Sequence, residues 1–365
     1  MIASGSAVAI QTMRIFKQVP RILFGREAFA RLPELCCLRT AENPYQVFVV
    51  DSVHRGRQLS TRLPINGDDI VEWFDATAGE PSTTQVDVLR ERVVSARAGV
   101  LPATIVGIGG GATMDVAKAL SVMLTNEGSS AQYQGWDLVK RPAVFKVGVP
   151  TLSGSGAEAS RTAVLMGKDR KFGINSDHSM FDAIVLDSSL IAGVPADQRF
   201  HSGMDCYIHC VESLQGTMIN ELAKAYAERA LILCESVFLN GGDDDALMTA
   251  SFMGGCSIVN SEVGVCHALS YGLSMELHYR HGFANCVVFD VLDDYYGSAV
   301  CKFRDMMKRN GTALPKGVTR KLSSEAMERM VAMTLHMERP LTNALGENWR
   351  EHMTRERIIE LYRRM

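Results

Sequence analysis

Strand-like and helix-like patterns alternate along the first half of the chain and then cease to, and this change limits the fold more than any other feature. Val47–Val50, Ile70–Phe74, Thr104–Ile108, Lys146–Val149, Thr162–Met166 and Ala183–Leu186 are short apolar or β-branched runs. Between them, Thr84–Ala98 and Thr113–Leu124 carry apolar residues at helical spacing, and Gly99 suits a helix end. Such alternation predicts a parallel sheet with helices on both faces. From Gln198 onward strand-like runs almost vanish. Segments rich in Ala, Leu, Met, Glu and Arg take over, at Glu221–Phe238, Asp243–Val259 and Ser323–Arg339. The carboxylates of Asp243–Asp245 suit a helix N-terminus, where they face the positive end of the dipole. The expected organisation is an α/β domain over residues 1–195 and an all-helical domain over 196–365. The length of 365 residues agrees with two domains of roughly 150 residues or more.

Charge and cysteine usage narrow the class. Lys and Arg number 38 against 41 Asp and Glu, a net charge of −3. That excludes a large basic surface, so neither nucleic acid nor an anionic membrane is an expected partner. No apolar run approaches the roughly 18 residues of a transmembrane helix. The first twenty residues lack a charged stretch before their apolar patch, so no signal peptide is expected. Nine cysteines include the adjacent Cys36 and Cys37 but no C-x-x-C pair. They read as reduced, buried thiols of a cytoplasmic protein, for which a homodimer is the base expectation.

Two glycine-bearing loops follow predicted strands. In Val106–Asp115 (VGIGGGATMD), Gly109, Gly110 and Gly111 leave a strand and enter a helix. Glycines let the backbone approach a phosphate, and the helix start offers unpaired N–H groups. The triplet differs from G-x-G-x-x-G, and no Gly-Lys-Ser/Thr follows, so a P-loop is excluded. In Val149–Glu158 (VPTLSGSGAE), small hydroxyl residues can bond phosphate or ribose oxygens. Asp51, at the end of an early strand, sits where an acid accepts from adenosine ribose hydroxyls and repels a 2′-phosphate, which favours NAD over NADP. Its plainer reading is a helix N-cap.

Histidines supply the second constellation. Asp205 and His209, in GMDCYIHCVES, are spaced i and i+4 and share a helix face. His267 and His281 lie 14 residues apart, along one helix or across a helix and the next turn. One carboxylate and three imidazoles suit zinc or ferrous iron with positions left open for substrate. The plainer reading of Asp205 and His209 is a hydrogen-bonded pair. Cys206, Cys210 and Cys266 adjoin these positions but point about 100° away on a helix, so they are not assigned to a metal.

These motifs resemble those of the iron-containing, or group III, alcohol dehydrogenases. GIGGGATMDVAKAL, VPTLSGSGAEAS, GMDCYIHCVES and the His267…His281-Gly282 pair match in order and spacing, from about Phe16 to about Asn285. IFKQVPRILFGREAF is similar to that family's first strand pair. The resemblance implies a Rossmann-like, dinucleotide-binding N-terminal domain and a helical C-terminal domain on the dehydroquinate synthase-like scaffold. It implies one divalent metal, zinc or iron, held by Asp205, His209, His267 and His281. It implies NAD contacts at Asp51, Gly109, Gly110, Gly111, Asp115, Thr151, Ser155 and Lys171, the last near the nicotinamide ribose; the plainer reading of Lys171 is a surface lysine. Ala112 departs from the family's serine and offers no hydroxyl to phosphate. Tyr271 replaces a histidine that many members carry four residues after the third ligand. Tyr271 and His278 are therefore the candidate proton carriers, with His278 otherwise a polar helix residue.

The cleft motifs and the tail VAMTLHMERPLTNALGENW are similar to those of members that oxidise C8 of 3-deoxy-D-manno-octulosonate to an aldehyde in lipopolysaccharide sugar synthesis. This implies an acidic eight-carbon sugar as the alcohol, with Arg161, Lys168, Arg199 and Arg280 as candidate cationic partners. The alternatives are oxidation or reduction of another small alcohol or aldehyde, and a metal-dependent lyase or hydrolase on the same scaffold.

Overall fold

A computed structural model describes residues 15–36, 45–168 and 170–365. The first fourteen residues, on which the expectation about a signal peptide rests, and Cys37 lie outside the described residues. Six strands form one sheet in the order β1 (Ile22–Phe24), β9 (Ala183–Leu186), β6 (Lys146–Pro150), β4 (Thr104–Gly109), β2 (Gln46–Asp51) and β3 (Ile70–Phe74). Every pairing in it is parallel. Successive strand residues face opposite sides, and both sides are covered. Val47 and Val49 pack with Val86, Leu89 and Val93 of α1 (Thr83–Ala96) and with Ala117 and Leu120 of α2 (Gly111–Met123). Phe48 and Val50 pack with Phe29, Leu32 and Leu59 on the other side. Helix α1 starts with a capping box between Ser82 and Gln85.

The structure corrects two expectations here and adds a strand that the sequence did not signal. Thr162–Met166 does not join the parallel sheet. As β7 it pairs antiparallel with β8 (Lys171–Asn175), and β5 (Gly135–Trp136) completes a separate three-stranded sheet. The KFGIN run of β8 is interrupted by glycine and begins with lysine, so it lacks a continuous β-branched signal. Of the first strand pair implied by IFKQVPRILFGREAF, only β1 forms among the described residues.

From Ala196 onward, every named element is a helix. Those of eight residues or more are α3 (Ala196–Gln215), α4 (Glu221–Asn240), α5 (Asp244–Asn260), α6 (Val265–Leu277), α7 (His281–Phe289), α8 (Ser298–Arg309), α9 (Ser324–His336), α10 (Glu338–Leu345) and α11 (Arg355–Arg364). Asp243 caps α5 by accepting from the Ala246 N–H, as its acidic start predicts. The run Ser323–Arg339 is two helices, broken at Met337. The halves meet closely at Gly154, whose φ of +153° and position leave no room for a side chain. An added Cβ there would lie 1.7 Å from the Ser202 carbonyl oxygen of α3. No helix among the described residues is long and apolar enough to cross a membrane. The described cysteines are free and buried except Cys301, which is exposed on the outer face of α8 and departs from the expected burial.

Candidate functional site

Strand order places a crevice before any side chain is considered. The chain leaves β2 to form β3 on one side and returns to place β4 on the other. Loops diverge at such a switch point, and ligands bind beyond the strand ends there. Asp51 ends β2, Gly109 ends β4 and Thr151 follows β6. A cleft of about 2200 Å³ opens at these ends and is walled on its far side by α3, α6 and the start of α7. This exceeds the roughly 300–1,000 Å³ of a single small-ligand pocket, leaving room for an extended cofactor and a substrate together.

The strand side assembles the loop residues expected from sequence. Asp51, Gly110, Gly111, Asp115, Thr151, Ser155 and Lys171 line the cleft. Gly109 lies just behind them, where an added Cβ would fall 2.6 Å from Thr113 Cβ and 3.0 Å from Asp51 Cβ. Gly110 precedes α2 without a side-chain cap, so the first-turn N–H groups of that helix remain available to an anion. Asp51 caps the next turn by accepting from the Val53 N–H at 3.1 Å, and it also lines the cleft. Burial raises its pKa. Burial also lifts Asp115 to about 6, although Lys118 and the Val164 N–H oppose the rise. His54, given no role from sequence, lines the cleft with Nε2 2.9 Å from Thr151 Oγ1.

On the helical side four donors converge. Asp205 and His209 project from one face of α3, His267 from α6, and His281 opens α7. One ligand atom from each lies within 4.8 Å of all the others. Asp205 Oδ1 is 3.7 Å from His209 Nε2, 3.4 Å from His267 Nε2 and 3.7 Å from His281 Nε2. Tetrahedral bonds of about 2.0–2.1 Å place donors roughly 3.4 Å apart, so the set fits a divalent cation such as zinc or ferrous iron. His267 and His281 lie on separate helices joined by a turn, not along one helix.

The cluster has supports that the sequence did not reveal. Glu212 Oε2 accepts from His267 Nδ1 at 2.5 Å, which leaves Nε2 to face the other donors. Its other oxygen accepts from the Cys266 N–H at 2.6 Å and from Tyr296 Oη at 2.8 Å. Asn285 Nδ2 lies 2.6 Å from Asp205 Oδ1 and 3.1 Å from His267 Nε2, while its buried Oδ1 has no partner among the described residues. Burial opposes ionisation of Asp205, but the surrounding imidazoles outweigh it and hold the carboxyl below its ordinary range. Burial pushes His209 down to about 4 and His281 to about 3, leaving both rings neutral, with Asn285 Nδ2 3.3 Å from His281 Nε2. Burial also disfavours the His267 cation, but Glu212 and Asp205 overcome it and raise the ring to about 9.

The remaining candidates divide. Tyr271 lines the cleft, its ring 5.9 Å from that of His281, and burial holds its phenol well above the ordinary range. Lys171 is no surface lysine: it is 1% exposed, with Nζ 3.1 Å from Glu80 Oε2 and 5.0 Å from the Tyr271 ring centre. The ammonium makes this ion pair without a well-directed hydrogen bond. His278 is not brought to the site. It is an exposed residue ending α6 in the left-handed conformation, with φ 55°, and it does not line the cleft. Of the four proposed cations, Lys168 and Arg199 lie outside the lining, and Arg199 pairs with Asp244 at 2.9 Å. Arg161 lines the cleft but pairs with Asp137 and Asp177. Arg280 lines it and donates to Gln198 Oε1 at 3.0 Å. Cys206, Cys210 and Cys266 contribute no donor to the cluster; the Cys206 and Cys266 thiols donate instead to the Ala250 and Asn285 carbonyls.

The chain is similar to known proteins along both of its halves. A model of the iron-containing alcohol dehydrogenase family matches residues 20–188, and one of the C-terminal part of the Fe-containing alcohol dehydrogenase family matches 199–344. A sulfoacetaldehyde reductase of Bilophila wadsworthia (strain 3_1_6) is 31% identical over 238 residues, which span 62% of this chain and 60% of that protein. A 4-hydroxybutyrate dehydrogenase of Cupriavidus necator is 29% identical over 327 residues, 81% of this chain and 84% of that one. The crystal structure of a sulfoacetaldehyde reductase from Bifidobacterium kashiwanohense in complex with NAD+ shares the fold. Its TM-score is 0.79 at 18% identity, covering 96% of this chain and 98% of that one. Matched along both halves by models of one family, the chain belongs to the iron-containing alcohol dehydrogenases.

Proposed function

We propose that this chain is an NAD-dependent, divalent metal-containing alcohol dehydrogenase that moves a hydride between a primary alcohol and the nicotinamide. The observation that carries the reading is the convergence of Asp205, His209, His267 and His281 on one wall of a cleft whose other wall is made of strand-end loops. The cleft divides an N-terminal domain of residues 1–195 from a helical domain of 196–365. Gly109, Gly110, Gly111 and the start of α2 receive the pyrophosphate. Thr151 and Ser155 bond phosphate or ribose oxygens, and Asp51 takes the adenosine ribose and disfavours a 2′-phosphate. Support for NAD comes from these positions and from the NAD+ complex of a protein sharing the fold.

Asp205 and the three imidazoles would hold the cation, and Glu212 keeps His267 in the required tautomer. A bound divalent ion supplies Lewis acidity toward the substrate hydroxyl, and the nicotinamide supplies the hydride acceptor. Lys171 lies beside the site, where it reaches the ribose nearer the nicotinamide. Tyr271, kept protonated by burial, donates a hydrogen bond into the substrate side and orients the alcohol. Asp115, buried at the start of α2, lines the cofactor side of the cleft and accepts from the Val164 N–H, which ties α2 to β7. The substrate we propose is the C8 alcohol of 3-deoxy-D-manno-octulosonate. Similarity of the cleft and tail motifs supports it. Of the four cations expected from sequence, Arg280 lines the cleft and makes no salt bridge among the described residues, so it can meet an acid group. The reduced thiols fit a cytoplasmic enzyme.

One sample tests the reading in two steps. The purified protein is denatured, the released small molecules are identified, and its metal content is measured. The native protein is then given a panel of alcohols, including the octulosonate, while nicotinamide absorbance is followed. Iron or zinc near one equivalent with alcohol-dependent NADH formation is expected. Full turnover by metal-free protein would sink the reading, and turnover of other alcohols alone would replace the substrate.

A further inference from the structure

Glu80 lies in the loop between β3 and α1, far in sequence from the helical half, and touches two site residues at once. Its Oε1 accepts from the backbone N–H of His281 at 3.0 Å, across 201 residues of chain. Its Oε2 lies 3.1 Å from Lys171 Nζ. We propose that Glu80 is a positioning residue that locks the metal-binding helices to the cofactor side of the cleft. The proposal rests on the functional reading above for the roles of His281 and Lys171.

Each arm answers a physical need. His281 is the first residue of α7, and helices leave their first N–H groups without internal partners. Arg280, which precedes it, makes no side-chain capping bond. The carboxylate of Glu80 supplies the acceptor from the opposite half and so fixes the main chain that carries a cluster imidazole. The other arm concerns Lys171. A buried ammonium is costly without a counter-charge. Glu80 provides it, and the Tyr271 ring 5.0 Å away supplies a cation–π contact on another side. The Glu80 side chain is itself 17% exposed, so the pair is shielded from bulk water. Loss of Glu80 therefore acts at two places through one residue: the backbone of His281 and the charge of Lys171.

Two substitutions separate the arms. Glu80→Ala removes both, whereas Glu80→Gln keeps a carbonyl for the His281 N–H and removes only the charge. Three quantities are read on the full chain. They are amide hydrogen exchange at His281 in metal-free protein, cobalt affinity by competition with a coloured chelator, and KM for NAD against kcat. Glu80→Ala is expected to speed exchange at His281 and weaken cobalt binding by roughly 10–100-fold, as for other residues that support a metal ligand. Glu80→Gln is expected to retain slow exchange and parent-like cobalt affinity while raising KM for NAD. Parent-like exchange and cobalt affinity in a folded Glu80→Ala protein overturn the proposal. If Glu80→Ala does not fold, Glu80→Gln decides alone: a raised KM with cobalt affinity kept supports the role, and parent-like values of both overturn it. A parent that binds no divalent metal defeats the functional reading, yet exchange at His281 still decides the role of Glu80.

Discussion

The two walls of the cleft are built by opposite means. On the strand side, Asp51, Gly109–Gly111 and Thr151 sit at or just past strand ends, and much of what they present is backbone. On the helical side, the donors are side chains from three helices, with Asp205, His209 and His267 only 2%, 3% and 2% exposed. A strand end delivers its loop to the crevice by topology alone. A cluster of buried polar side chains needs three helices in the correct rotation, and here Glu212 orients one of the imidazoles. The strand wall should therefore yield to small steric changes and the helical wall to single changes of charge.

The largest expected effect is at Asp205. Asp205→Asn removes the negative charge at the centre of three imidazoles. Metal analysis should show the ion lost, and turnover should fall on the order of 10³-fold, matching several kcal/mol of lost charge stabilisation. Dinucleotide binding, measured by fluorescence titration, should survive; its loss would mean that the walls are not separable. Glu212→Gln comes next, with an expected fall of roughly 10–100-fold in metal affinity. Unchanged affinity would show that His267 needs no orienting partner.

Gly109→Ala probes the strand wall. Its methyl would meet Thr113 and Asp51, costing roughly 1–3 kcal/mol in overpacking. A lower melting temperature and weaker NAD binding are expected, with metal content intact. The pH dependence of metal-free protein sharpens the account of the helical wall. Below pH 6.5 the unfolded chain takes up protons that His209 and His281 refuse in the fold until about pH 4 and pH 3, so stability falls with acid. His267 acts in the opposite sense. Its raised value makes its contribution complete below pH 6.5 and loses it as pH rises through about 9. Melting temperature should peak near pH 6.5 without metal, and added metal should remove the alkaline decline because it binds the deprotonated ring. A flat metal-free profile between pH 5 and 9 would contradict this account of the helical wall.

The same contrast explains what could be read in advance. Ala183–Leu186 (AIVL) forms a strand at the expected residues and is buried throughout, as a continuous apolar run in a parallel sheet should be. Ile70–Phe74 (IVEWF) forms one at the sheet edge, where Glu72 is tolerated because the strand is only half-buried. The strand at Lys171–Asn175 was hidden by its lysine and glycine, and with it the reason that Lys171 is buried. The i, i+4 spacing of Asp205 and His209 marked one half of the cluster, since a helix face is a local property. Glu212, Asn285 and Glu80 carried no signal. Their partners lie 55, 18 and 201 residues away, at His267 for the first two and His281 for the third. His278 misled for a related reason: it is close to His281 in sequence, but the left-handed turn that ends α6 sends it to solvent.

By itself the sequence determined the alternation that makes a parallel sheet, the glycine turn at the end of β4, the helical second half and the identities of four candidate donors. The first three follow from periodicity over a few residues; of the donors, local spacing marked Asp205 and His209, and resemblance to the family completed the set with His267 and His281. Only the tertiary structure decided that the four donors meet within 4.8 Å, that Glu212 orients one of them and that Glu80 reaches across to hold another. Those contacts depend on how whole helices pack against each other and against the sheet, and no local pattern encodes that packing.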